Sequence, residues 1–198
     1  MLSTARTALN VTALAGWATA GVMACREPLA AVPSDALRRL MFGLQGICAA
    51  EVLQILLKLM PGDAALGVAL HSIRFTVLAY VMPHQPTVSK LVVGAWVATE
   101  LCRYPMFLFP RSSLARKLRY AAPVVTFPIG TGVEAFGAYQ ATWGAHAQKG
   151  ALPQALLHAV MAINLLGGLA WYPSIVKKAM RAFGGDAGRK GDKPEKRS

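Results

Sequence analysis

The sequence predicts an all-α fold, an integral membrane bundle of about six transmembrane helices. Three observations predict it. Hydrophobic residues make up 55% of the 198 residues and charged residues only 15%, with a mean hydropathy of +0.41, a balance foreign to soluble domains of this size. Apolar runs recur at lengths near the ~20 residues that a helix needs to cross hydrocarbon. The cations gather on one side of the topology that these runs define.

The spans follow in order. The first, residues 8–25, is short and rich in Ala and Thr. Glu27 to Asp35, with two prolines, joins it to the second, residues 38–59. Pro61-Gly62-Asp63 is a tight turn signal before the third, residues 64–82. Pro83-His84-Gln85-Pro86 separates it from the fourth, residues 89–109. Pro110 to Arg119 is a basic connector to the fifth, residues 120–143, and the sixth runs over 154–176. Residues 1–176 thus form one six-span membrane domain, and 177–198 a basic tail on the cytoplasmic side. From Gly184 onward the tail is rich in Gly and charge, and disorder is expected.

The net charge of +12 could suggest a nucleic-acid partner, but its distribution argues against one. Lys177, Lys178, Arg181, Arg189, Lys190, Lys193, Lys196 and Arg197 share the tail, and Arg111, Arg116, Lys117 and Arg119 share one connector. With the N-terminus inside, both groups fall on the inner side with Arg6 and Lys58. Only Arg26, Arg38, Arg39, Lys90 and Lys149 face out. That is the positive-inside pattern. Cys25, Cys48 and Cys102 have no paired spacing, so they read as apolar packing residues, and no metal or cofactor is expected. Met1 to Arg26 contains no acid. A first span with a basic flank explains this, and so does a mitochondrial presequence.

Glu51, Arg74, Glu100, Arg103 and Glu134 lie within spans, where charge is costly. Glu100 and Arg103 can pair within one helix, and Glu51 and Arg74 can pair across neighbouring spans. These four read as structural intramembrane charges. Glu134 is left without a cation. A carboxyl in a low-dielectric site can then stay protonated, as a general acid must. Its surroundings are Thr126-Phe127-Pro128-Ile129-Gly130-Thr131-Gly132-Val133-Glu134. Phe127 and Glu134 are two helical turns apart and share a face. Pro128 removes a backbone donor. Gly130 and Gly132 allow close approach of a helix or ligand. A kink here opens a cleft at membrane depth. No pair of broken helices in matching halves supports a transporter.

Trp96-Val97-Ala98-Thr99-Glu100-Leu101-Cys102-Arg103-Tyr104 resembles the W-x-x-x-E-x-x-R-Y segment of a known family. Arg119-Tyr120 followed by Phe127 to Glu134 resembles its R-Y…Y-P-x-G-x-x-x-E segment. Leu44-Gln45, Glu51 and Arg74 resemble its second and third spans. The family is the 3-hydroxyacyl-CoA dehydratases, also called protein-tyrosine-phosphatase-like proteins. The resemblance runs from about residue 40 to 175.

It implies a six-span protein of the endoplasmic reticulum membrane. It also implies the third step of very-long-chain fatty acid elongation, loss of water from a 3-hydroxyacyl-CoA to give the trans-2-enoyl-CoA. The family's catalytic pair is the Tyr and the Glu of its second segment. Here the Glu is Glu134, and Phe127 stands at the Tyr position. Phe has no hydroxyl to exchange a proton. Leu70 stands where the family usually has Gln. Tyr120 and Tyr139 are the possible substitutes for the phenol; Tyr104 and His71 lie on other spans. Arg119, Arg116, Lys117 and Gly130 are the expected substrate-binding residues, the cations drawing the CoA phosphates. The expected partners are a long-chain acyl-CoA or membrane lipid, and other membrane proteins, either elongation enzymes or a larger complex. The alternative is a catalytically inactive member that serves as a structural subunit or lipid-binding scaffold. With a presequence, that complex is mitochondrial, in the inner membrane.

Overall fold

A computed structural model of the chain describes residues 2–59 and 62–184. The described residues form six helices and no strand: α1 (Leu2–Arg26), α2 (Asp35–Leu56), α3 (Ala64–Tyr80), α4 (Pro86–Leu108), α5 (Ser113–Trp143) and α6 (Ala151–Gly184). Four of them, α1, α2, α4 and α6, are long and apolar enough to cross a membrane. The apolar α3 is shorter, at 17 residues. With 31 residues α5 has the length, but the glycines, prolines, threonines and carboxylate around Glu134 dilute its apolar character.

Side-chain caps set several starts. Ser34 accepts from Leu37 N at 3.2 Å, Asp63 from Leu66 N at 3.0 Å and Ser112 from Ala115 N at 3.2 Å. Each satisfies a backbone donor that a helix start leaves open, which is worth about 1 kcal/mol. The Ser112 cap corrects one expectation. Most of the basic connector is helical, and Arg116, Lys117 and Arg119 ride on the first turns of α5. At the other end α6 continues through residues 177–184. The stretch from 185 on, where disorder is expected, lies outside the described residues.

Packing closes the helices into a ring. α1 packs on α2, α2 on α3, α3 on α6, α6 on α5, α5 on α4, and α4 back on α1. Trp17, Met41, Val77, Val92 and Leu157 are fully buried in its core. A Cβ on Gly16 would come within 2.6 Å of Leu44, so glycine permits the close approach of α1 and α2. Arg6 donates to Leu59 O at 3.2 Å and ties the start of α1 to the chain just past the end of α2. α3 packs on α5 and α6, but its backbone stands off from α4, which it reaches only through side chains. The space between α3 and α4 becomes the site.

Pro128 sits inside α5 and cannot donate to the carbonyl of Val124, one turn back. The Tyr172 hydroxyl of α6 donates to that carbonyl instead, at 3.1 Å. A partly buried backbone acceptor thus keeps a partner.

Candidate active site

A cavity of about 460 Å³ lies between α3, α4, α5 and α6. Asp63, Arg119 and Lys178 line one end; Trp96, Glu134 and Asn164 line the other. Arg119 and Glu134 are fifteen residues apart on α5, about 22 Å along the axis. The cavity therefore runs from a basic end deep into the bundle.

Glu134 is buried at its deep end. Trp96 Nε1 of α4 donates to Oε1 at 2.6 Å, and Asn164 Nδ2 of α6 donates to Oε2 at 3.1 Å. Three helices thus fix one carboxyl group. Both donors are N–H groups, and each carboxylate oxygen keeps a further lone pair. The arrangement presents Glu134 as a proton acceptor. Among the described residues no cation forms an ion pair with it.

The other intramembrane charges form a network of their own, which reaches the cavity wall at Arg74. Arg103 lies 2.9 Å from Glu51 and 2.7 Å from Glu100, and Arg74 lies 2.7 Å from Glu100. The expected Glu51–Arg74 pair is not formed. Arg103 reaches Glu51 across α2 and α4, its guanidinium having donors enough for two carboxylates. Arg74 is left to Glu100 and stacks over the Trp96 ring, 5.2 Å from its centroid. Tyr104 joins the network by donating to Glu51 at 2.9 Å and accepting from Arg103 at 2.8 Å. His71 bonds Gln45 at 2.9 Å. Neither ring serves Glu134.

Phe127 and Gly130 line the cavity beside Glu134, as their shared helix face predicts. So does Leu70. Both departures from the family pattern therefore fall on the cavity wall and make it more apolar. Tyr120 lines the cavity at its mouth, but it stands fourteen residues before Glu134, about 21 Å along the helix. Tyr139 is 54% exposed and packs on Trp143, with ring centroids 5.1 Å apart. It faces away from the cavity. No tyrosine among the described residues stands where the family phenol would.

Of the expected substrate-binding cations, only Arg119 lines the cavity. Its guanidinium lies 4.8 Å from the Phe107 ring centroid, and its Nη1 has no hydrogen-bond partner among the described residues. Arg116 is exposed, and Lys117 lies over Phe183, 5.9 Å from its centroid. Sequence reasoning missed Lys178 and Asn164. Asn164 carried a signal, being an amide midway along an apolar span, where a polar group is costly unless it is bonded.

The sequence matches the family model described as protein tyrosine phosphatase-like protein, PTPLA, over residues 45–183. The chain belongs to this family. No curated protein and no solved structure matches it. The matched region begins in α2 and contains every residue of the cavity wall. α1 lies before it. PTPLA proteins are the 3-hydroxyacyl-CoA dehydratase family, a membrane family. In this PTPLA chain the apolar helices accordingly belong to an integral membrane protein with a dehydratase-like function at family level.

Proposed function

We propose that the chain dehydrates long-chain 3-hydroxyacyl-CoA through one carboxyl group, Glu134, in the membrane of the endoplasmic reticulum. The observation that carries this reading is the cavity itself, which joins a basic mouth to a carboxylate fixed by two N–H donors. Arg119, with a donor unspent, suits an anionic or carbonyl group of the thioester end. The inner-side position of the mouth suits a substrate that arrives from the cytoplasm, where elongation enzymes would be the partners.

The chemistry balances on one group. Glu134 takes the proton from C2, and the C2–H electron pair becomes the second bond between C2 and C3. The C3–O bond breaks, and the departing hydroxide takes the same proton back from Glu134 as water. The carboxylate is regenerated. A phenol would share this work, and a positioned acid or base contributes about 10²–10⁴ in rate. The native chain therefore works slowly.

Phe127 favours a second reading, a catalytically inactive member retained as a structural subunit or lipid-binding scaffold. Turnover of 3-hydroxypalmitoyl-CoA by the purified chain, with Phe127→Tyr beside it, separates the two. The one-carboxyl reading predicts measurable turnover in the native chain and a rise of about 10²-fold in the variant. The second reading predicts no turnover in the native chain.

A further inference from the structure

A second, apolar space adjoins the cavity. A groove of about 310 Å³ runs between α5 and α6, walled by Leu165, Gly168 and Leu169 together with Phe127, Thr131 and Asn164. The last three also line the cavity that holds Glu134. The same side chains divide both spaces, and Asn164 does so while bonded to Glu134. Leu165 is 62% exposed and Leu169 79%. On a membrane helix, that marks the groove as open toward lipid.

Past Glu134 toward the end of α5 the bundle is closely packed. Beyond Glu134, the α5 residues Ala135, Gly137, Ala138 and Ala141 are buried. A Cβ on Gly137 would come within 2.6 Å of Val81 and 2.7 Å of Val88, and Gln85 Nε2 donates to the Gly137 carbonyl at 2.9 Å. A larger cavity of about 580 Å³ around His84, Phe136 and His146 shares no lining residue with the one at Glu134. For a ligand with its reacting carbons at Glu134 and a long apolar tail, the apolar space that shares walls with the cavity is the groove between α5 and α6.

We propose that this groove holds the distal acyl chain of the substrate, leading it past Phe127 and Asn164 toward the bilayer. The inference rests on the 3-hydroxyacyl-CoA reading above and adds where the tail lies. It gives Phe127 a second consequence. Its bare ring keeps the junction between the two spaces apolar, as passing methylenes require. Because the groove opens toward lipid, no wall sets an upper limit on chain length.

The test uses the full chain in phosphatidylcholine nanodiscs. Binding of 3-hydroxypalmitoyl-CoA and 3-hydroxybutyryl-CoA is measured for the native protein and for Gly168→Leu. A Cβ at Gly168 meets only Thr131 Oγ1, at 3.9 Å, so the new side chain fills the groove without displacing backbone. The variant should bind the long-chain thioester about tenfold more weakly or worse and the short-chain one unchanged, since several buried methylenes lose their site. A palmitoyl-CoA with a terminal diazirine should label Leu165 or Leu169, and 3-hydroxypalmitoyl-CoA should suppress the label. Equal binding of both thioesters before and after substitution overturns the groove alone. So does labelling confined to the outer cavity at Phe136. A diazirine phosphatidylcholine that labels the groove and is not displaced by the thioester makes the occupant a bilayer lipid and also overturns it. If neither thioester binds the native chain, the 3-hydroxyacyl-CoA reading falls, and the groove assignment with it.

Discussion

Trp96 Nε1 meets Glu134 Oε1 at 2.6 Å, across the joint between α4 and α5. The indole has nothing else to offer, since its N–H is a donor only. It therefore fixes one oxygen of the carboxyl group while Asn164 fixes the other. The face of the same indole carries Arg74, whose guanidinium is held by Glu100. Trp96 and Arg74, which both line the cavity, thus join the structural charge network to the site.

Removing that contact should separate chemistry from binding. Trp96→Phe keeps a ring beneath Arg74 but leaves Glu134 with one donor. The expected loss is about tenfold or more in kcat, the cost of one hydrogen bond to a charged group. KM should change little, because the mouth residues Arg119 and Lys178 are untouched. Steady-state kinetics of both proteins checks this. Asn164→Leu should act in the same direction.

Arg103 is expected to matter to folding rather than to turnover. It serves Glu51, Glu100 and Tyr104 at once. Arg103→Met would leave Glu51 without its cation and Glu100 with Arg74 alone. Breaking a buried pair from one side costs about 3–5 kcal/mol. The variant should be recovered poorly from membranes and melt well below the native protein. Glu51→Gln should be milder, because Glu100 still pairs with Arg103.

The six helices were legible because their lengths follow from hydrocarbon thickness. The Phe127–Glu134 face was legible because helical spacing alone sets it. Asn164 was not, since an amide carries no charge and costs less at membrane depth than the ionisable groups do. The Glu51–Arg103 pair was hidden for another reason. Spacing along one helix shows Glu100 and Arg103 as neighbours, but how far a guanidinium reaches into the next helix depends on rotation and depth that no periodicity supplies. The helical start of α5 turned on one Ser112 hydroxyl inside a stretch that reads as a loop.

The loop between α1 and α2 holds a pH-dependent tie. Glu27 lies 2.8 Å from Lys90 Nζ and accepts from Ser34 N at 3.1 Å, joining the α1–α2 loop to α4. Partial burial pushes its carboxyl up, but Lys90 and the Ser34 bonds together outweigh that and hold it below its usual 4.5. A carboxyl lowered by folding stabilises the fold above its unfolded value and stops doing so as pH falls through the folded one. The native protein should therefore lose thermal stability as pH drops below about 4.5. Glu27→Gln should start a few degrees lower at neutral pH and show less of that acid-side loss. Melting curves of the two proteins in one detergent, taken across that range, decide it.

The central claim is that Glu134 alone moves the proton. The most direct measurement is 3-hydroxypalmitoyl-CoA dehydration by the purified native chain and by Glu134→Gln, with binding of the same thioester followed in parallel. The account predicts turnover in the native chain, a fall of about 10²-fold or more in the variant, and binding that stays within a few fold. Equal turnover in the two proteins would contradict it, and so would a native chain that binds the thioester without ever releasing water from it.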